Sequence, residues 1–242
     1  MKKLIKKSIN ILLSPFILKD YFSFSSKKDT RFSIKISDFY PQIKDKTIQT
    51  GFDRHYVYHT SWAARKVKDF NPSVHTDISS SLYFCGIVSA FVPVEFYDYR
   101  PAQLKLSSLK SAHVDLTNLH FTDNSISSLS CMHTIEHIGL GRYGDPIDPQ
   151  GDIKACMELQ RVLAPDGQLI FVTPVGKSKI EFNAHRIYSY QQVLDLFPDL
   201  TLKEFSLVTD TVEQGDLIEN ADPELVKSQK YGCGLFIFTK QI

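Results

Sequence analysis

The chain is poor in cysteine: its four, Cys85, Cys131, Cys156 and Cys233, lie far apart and form no C-x-x-C pair. That spacing argues against a structural zinc module and against a disulfide framework, and it fits a reducing, cytoplasmic setting. Net charge is nearly absent, at +1 over 242 residues. No basic patch interleaved with aromatics occurs, so nucleic acid is not an expected partner. No apolar run reaches the roughly 20 residues that a membrane-spanning helix needs. No internal repeat or low-complexity tract is present. What remains is a globular composition, 43% hydrophobic and 23% charged, long enough for one α/β domain with a small extension.

The extension is the N-terminus, MKKLIKKSINILLSPFILKDYF. Lys2, Lys3, Lys6 and Lys7 precede a short apolar run interrupted by Asn10, Ser14 and Pro15. No small-x-small cleavage site follows, which distinguishes it from a signal peptide. Leu4, Ile5, Ile9, Leu12, Leu13 and Phe16 fall near helical spacing. Two readings stand: a basic amphipathic helix lying on the inner face of a membrane through residues 1–22, or a helix packed on the domain body. Residues 1–50 are therefore read as helix and linker, and residues 51–242 as the folded domain.

Within 51–242, strand-like and helix-like segments alternate. Phe52 to Phe70 reads as a helix that stops before Pro72. Short strands are expected at Val74–Ile78, Val94–Tyr97, Ala112–Val114 and Ile126–Met132. Leu82–Phe91 and Ile153–Leu163 read as helices. A turn at Ala164-Pro165-Asp166-Gly167 leads into a buried strand over Gln168–Thr173. Ser189 is a candidate cap for a helix over Tyr190–Phe197, and Thr201–Val208 and Leu235–Thr239 supply two last strands. This alternation predicts a mostly parallel sheet covered on both faces.

The densest chemistry lies between Asp123 and Asp152. His133, Glu136 and His137 end an apolar run, and a polar loop with Gly139, Gly141, Gly144, Arg142, Asp145 and Asp148 follows. Such a loop after a strand in an α/β sheet is where ligands bind. His133 to His137 matches H-x-x-E-H, a zinc-peptidase pattern that requires one continuous helix. Here the preceding run reads as a strand and glycines follow at once, so no metal ligands are assigned. His137 is a candidate general base, with Glu136 beside it, because imidazole titrates near neutrality; the alternative is a structural histidine bonded to the loop. Arg142, Asp145 and Asp148, with Asn183, His185 and Arg186 after the next strand, suit a polar or anionic substrate through paired hydrogen bonds. Equally, they could knit the two loops together.

Taken in order, these segments resemble a class I S-adenosylmethionine-dependent methyltransferase, a Rossmann-like fold. Val74-His75-Thr76-Asp77-Ile78 sits where that family has its first strand and cofactor loop. Asp98 ends the second strand, and Asp115 lies in AHVDLTNLHFTDNSIS. Cys131 to Ile138, followed by RVL-APDG-QLIFVTP, matches the fourth strand, helix and fifth strand. The resemblance implies a seven-stranded sheet flanked by helices and S-adenosylmethionine as cofactor. It also implies that Asp77, Ser79, Asp98 and Asp115 bind that cofactor, Asp98 through the ribose hydroxyls and Asp115 near the adenine amine. More narrowly, EHIGLGRYGDPIDPQGD with FNAHRIYS is similar to a bacterial and nematode methyltransferase-like family of unknown function. That resemblance supplies no reaction and implies only a setting in surface-glycan modification; His137 and Arg186 suit a hydroxyl or carboxyl oxygen acceptor, expected on a sugar or glycan precursor of surface polysaccharide. One departure is evident: the cofactor loop, Asp77-Ile78-Ser79-Ser80-Ser81, has no glycine, and serine adopts a positive φ only at a cost. A binding or scaffold protein without turnover is therefore the alternative to an active enzyme.

Overall fold

The computed structural model describes residues 15–27, 31–43 and 45–241. The chain divides into two compact units, Met1–Phe52 and Asp53–Ile242. In the first, helix α1 (Pro15–Ser25) has no buried residue, and Phe16, Phe22 and Phe24 are exposed. A 3-10 turn at Ile36–Asp38 follows. The lysines of the N-terminal run lie outside the described residues. Among the described residues no helix is long and apolar enough to cross a membrane.

The second unit opens with α2 (Arg54–Phe70). Asp53 caps it by accepting from the Tyr56 amide at 3.1 Å, and Asn71, left-handed at φ 50°, ends it before Pro72. Its buried stripe is His59, Trp62, Ala63 and Val67. Then follow β1 (His75–Ile78), α3 (Leu82–Val88), β2 (Val94–Asp98), β3 (Leu109–His113) and β4 (Ile126–Met132). After a 3-10 turn at Ile135–His137 come α4 (Gly151–Val162), β5 (Leu163–Val175), β6 (Lys179–Glu181), β7 (His185–Ile187) and α5 (Tyr190–Asp195). The chain closes with β8 (Thr201–Val208), β9 (Leu217–Ile218) and β10 (Gly232–Thr239). Ser189 forms a full capping box with Gln192 at the start of α5.

The main sheet has eight strands in the order β3-β2-β1-β4-β5-β10-β8-β9, not the expected seven. The extra edge strand is β9, two residues paired with Leu207 and Val208, too short to leave a periodic signal. β3, β2, β1, β4 and β5 are mutually parallel, and β10 runs antiparallel between β5 and β8. A second, two-stranded ribbon is formed by β6 and β7. The expected turn Ala164–Gly167 is a bulge within the longer β5: Ile126 faces Leu163, and the register resumes only at Ser128 and Gln168.

Alternation along β5 and β10 feeds two cores. Leu169, Phe171, Phe236 and Phe238 join Leu159 and Phe197 on one face of the sheet. Ile170, Val172, Leu235 and Ile237 join Trp62, Val67 and Phe84 on the other. Each such buried side chain contributes about 1.5–3 kcal/mol. The strand order reverses between β1 and β4, so a crevice opens beyond their carboxyl ends.

Candidate functional site

All four residues of β1 are buried. Asp77 is wholly inside: its Oδ1 accepts from the Ser80 amide at 3.1 Å and its Oδ2 from the Ser130 hydroxyl. His75 bridges Ser128 at 2.8 Å and Ser130 at 2.9 Å. Burial raises the Asp77 carboxyl to about 6, against the pull of the Ser130 and Ser80 bonds, and lowers the His75 imidazole to about 3. Ser79 turns the chain at φ 61°. Its amide and hydroxyl both donate to the Tyr97 carbonyl, at 2.7 and 3.3 Å, and its own carbonyl accepts from Thr134 Oγ1 at 3.0 Å. Serine thus makes the left-handed turn without glycine; these bonds to β2 and to the chain after β4 offset a strain of about 1–2 kcal/mol. Asp98, half-buried at the end of β2, accepts from the Arg100 amide at 2.7 Å. Asp115 accepts from the Thr117 amide and hydroxyl at 2.8 and 2.7 Å.

Beyond β4 the segment Ile135–His137 is a single 3-10 turn, so the two histidines of H-x-x-E-H do not share a helix face. His133 takes a left-handed conformation, φ 53°. Its Nδ1 lies 2.9 Å from Glu136 Oε1, and its Nε2 lies 3.4 Å from Cys233 Sγ. Glu136 is 1% exposed, and its Oε2 has no partner. Burial, the largest single influence, opposes its charge, but the hydrogen bond and charge of His133 together with His137 hold the carboxyl below its ordinary range. His137 Nδ1 sits 2.7 Å from the Ala184 carbonyl, which also accepts from Arg142 at 2.8 Å. A carbonyl can only accept, so Nδ1 carries the proton and Nε2 the lone pair, which lies 3.4 Å from an Arg142 guanidinium nitrogen. Burial lowers the His137 pKa, partly countered by Glu136, so its neutral form is favoured at pH 7.

The loop after His137 is ordered from within. Asp145 accepts from the amides of Gly139, Gly141 and Tyr143 at 2.8, 3.3 and 3.1 Å. Gly139, at φ 78°, is obligatory: a Cβ there would lie 2.0 Å from the Asp148 carbonyl oxygen. Asp148 binds Lys154 Nζ at 2.7 Å. Arg186, 5% exposed, donates to Ile138 O at 2.6 Å and lies 3.4 Å from Asp152, fastening β7 to this loop. Arg142 and Asn183 are exposed. The guanidinium groups of Arg100 and Arg142 both lie over the Tyr143 ring, 4.4 and 5.1 Å from its centroid, which links the end of β2 to the loop. His185 lies 4.9 Å from Tyr231, ring to ring. Among the expected substrate residues, Arg142 and His185 therefore border His137, whereas Asp145, Asp148 and Arg186 are engaged in ordering the loop.

Residues that the sequence reading did not single out complete this wall. His55, Tyr56 and His59 of α2 lie 5.4, 5.6 and 5.0 Å from the His133 ring, and Tyr231 lies 5.0 Å from His55. Burial, and next His133, lower His55 to about 4. The spacing of His55 and His59, four residues apart on one helix face, was the available signal.

A family profile described as "Caenorhabditis protein of unknown function, DUF268" matches residues 97–211. That stretch holds the loop after β4 and the β6–β7 ribbon, but neither His55 nor Cys233. No curated protein matches the chain. Among solved structures it is similar to the N-methyltransferase NodS from Bradyrhizobium japonicum in complex with S-adenosyl-L-homocysteine, at 13% identity over 77% of this chain and 87% of that one, TM-score 0.55. YcgJ from Bacillus subtilis is similar at 12% identity over 77% and 99%, TM-score 0.53. A TehB-like S-adenosylmethionine-dependent methyltransferase from Corynebacterium glutamicum is similar at 15% identity over 76% and 89%, TM-score 0.50. Together with the strand order, these likenesses show that the chain has the Rossmann-like class I methyltransferase fold.

Proposed function

We propose that the protein is an S-adenosylmethionine-dependent methyltransferase acting on an oxygen, a hydroxyl or carboxyl, of a sugar or glycan precursor of surface polysaccharide. The residues at the β1 and β2 ends fit the cofactor. The Ser79 turn brings backbone close to the crevice, and Asp98 keeps one carboxylate oxygen that has no partner among the described residues. Asp98 would hold the ribose hydroxyls, and Asp115 would stand near the adenine amine. When bound, the cofactor supplies a methyl group already activated on a sulfonium, so the protein's task is positioning and proton removal.

His137 carries the reading. With Nδ1–H given to the Ala184 carbonyl, Nε2 is oriented to take the proton of an acceptor hydroxyl. The resulting imidazolium is stabilised by that carbonyl and by the Glu136 carboxylate 3.8 Å from Nε2. Arg142, exposed beside it, would hold an anionic group of the acceptor, such as a nucleotide-sugar phosphate. The glycine-free loop is what suggests a scaffold without turnover; the left-handed geometry that Ser79 adopts supports the active reading instead.

Calorimetric titration of the full chain with S-adenosylmethionine and S-adenosylhomocysteine tests the proposal. Micromolar binding of both, followed by methyl transfer to nucleotide sugars or lipid-linked glycans, is expected. Absence of binding at millimolar ligand would return the scaffold reading.

A further inference from the structure

We propose that His55, His133 and Cys233 form a binding site for a single zinc-type divalent metal ion at the acceptor side of the crevice. One ligand atom from each residue lies within 4.8 Å of the other two. The His133 Nε2 to Cys233 Sγ separation is 3.4 Å. Tetrahedral zinc, with bonds of about 2.0–2.3 Å, holds its ligand atoms about 3.3–3.8 Å apart. The site needs little rearrangement to close on an ion.

The surroundings match a metal centre more closely than a hydrogen-bonded cluster. The Glu136 carboxylate 2.9 Å from His133 Nδ1 fixes the tautomer that turns the Nε2 lone pair toward Cys233, the carboxylate–histidine–metal arrangement. His59 Nδ1 is bound to the His55 carbonyl at 2.6 Å, so its Nε2 is a bare lone pair, buried and without a partner beside His133. Glu136 Oε2 is buried and orphaned in the same wall. Buried polar atoms without partners are rare and point to a missing ion or water. A nucleophilic role is disfavoured because Cys233 is wholly buried.

Two imidazoles and a thiolate select zinc, cobalt or similar ions over magnesium and calcium. Cys233 would release its thiol proton to solvent on binding. Three protein ligands leave one position for a water or an acceptor oxygen. That last role rests on the methyl-transfer reading; the binding of metal does not. The ligand set is not that of H-x-x-E-H, since His137 is held by the Ala184 carbonyl instead.

The test is metal content and cobalt titration of the full chain, without S-adenosylmethionine, so its failure leaves the methyltransferase reading standing and the reverse holds too. Protein purified without chelator should carry zinc at one ion per chain. After chelator treatment it should take up Co2+ with a thiolate-to-cobalt charge-transfer band and tetrahedral ligand-field bands. Cys233→Ser should abolish the charge-transfer band and weaken binding by more than about 100-fold, and Glu136→Gln should weaken it about 10- to 100-fold with the band retained. If Cys233→Ser fails to fold, His55→Ala, on the half-buried first turn of α2, should weaken cobalt binding to a like degree. No uptake at millimolar Co2+, or a cobalt spectrum unchanged by Cys233→Ser or His55→Ala, would overturn the proposal.

Discussion

The two halves of the crevice are wired differently. At the ends of β2 and β3 each carboxylate bonds within its own turn: Asp98 to the amide of Arg100, Asp115 to that of Thr117. Around the end of β4 the bonds reach far along the chain. His133 meets Cys233 across 100 residues, His137 meets Ala184 across 47, and Arg186 meets Ile138 across 48. The turns after β2 and β3 are therefore local pieces that would tolerate single losses. The wall around the end of β4 exists only once the sheet order has brought α2, β4, β7 and β10 together, and it depends on a few connecting residues.

That contrast can be broken or sharpened by substitution. The largest effect is expected at Arg186, which is buried against Asp152 and the Ile138 carbonyl. Arg186→Ala should destabilise the fold by about 3 kcal/mol or more, because it leaves the buried Asp152 carboxylate without its cation and with only the Tyr188 hydroxyl bonded to it; Asp115→Ala, a local cap, should cost only about 1 kcal/mol in the same denaturant titration. Equal losses at the two positions would dissolve the distinction. Next, His137→Ala should lower methyl transfer by about 100-fold or more while S-adenosylmethionine affinity holds. Unchanged turnover would reduce His137 to a loop support. On the cofactor side, Asp98→Ala should weaken S-adenosylmethionine binding by about 1–3 kcal/mol, read by calorimetry, with melting temperature nearly unaltered.

The smallest effect is a pH signature beneath the cofactor turn. The folded state keeps His75 neutral, with its pKa at about 3 against 6.5, so its stabilisation is full above pH 6.5 and is lost as pH falls. Asp77 behaves oppositely: with its pKa raised from 3.8 to about 6, its stabilisation is full below 3.8 and is lost as pH rises toward 6. Between these limits the two slopes offset each other. Relative to wild type, His75→Asn should gain stability on acidification from about pH 6 to about pH 4, and Asp77→Asn should lose it. Denaturation midpoints at both pH values would decide, and variants that track the wild type would contradict the buried network.

The same division governs what could be read in advance. Ile126–Met132 and Thr201–Val208 are strands with the expected bounds, because continuous apolar runs bounded by turn residues need only their own neighbours to declare themselves. The cap at Ser189 is likewise local. β9 escaped notice because two residues carry no period. The bulge in β5 was read as a turn because Pro165, Asp166 and Gly167 have turn chemistry wherever they occur. In the polar loop, composition indicated ordered carboxylates and guanidinium groups, yet the choice between ligand and loop partner for Asp145 and Arg186 lay in the backbone amides and carbonyls they meet.

By itself the sequence determined the order of the longer strands and helices, the burial of Gln168–Thr173, and the crowding of polar groups after β4. All follow from apolar periodicity and turn chemistry that act over a few residues. Only the tertiary structure decided that Ser79 would serve where glycine is usual, since the bonds that hold that turn come from Tyr97 and Thr134. It also decided that His133 would face Cys233 and His55 rather than pair with His137. Those partners lie tens of residues apart, and no local propensity selects them; the sheet order that places α2 and β10 beside the end of β4 does.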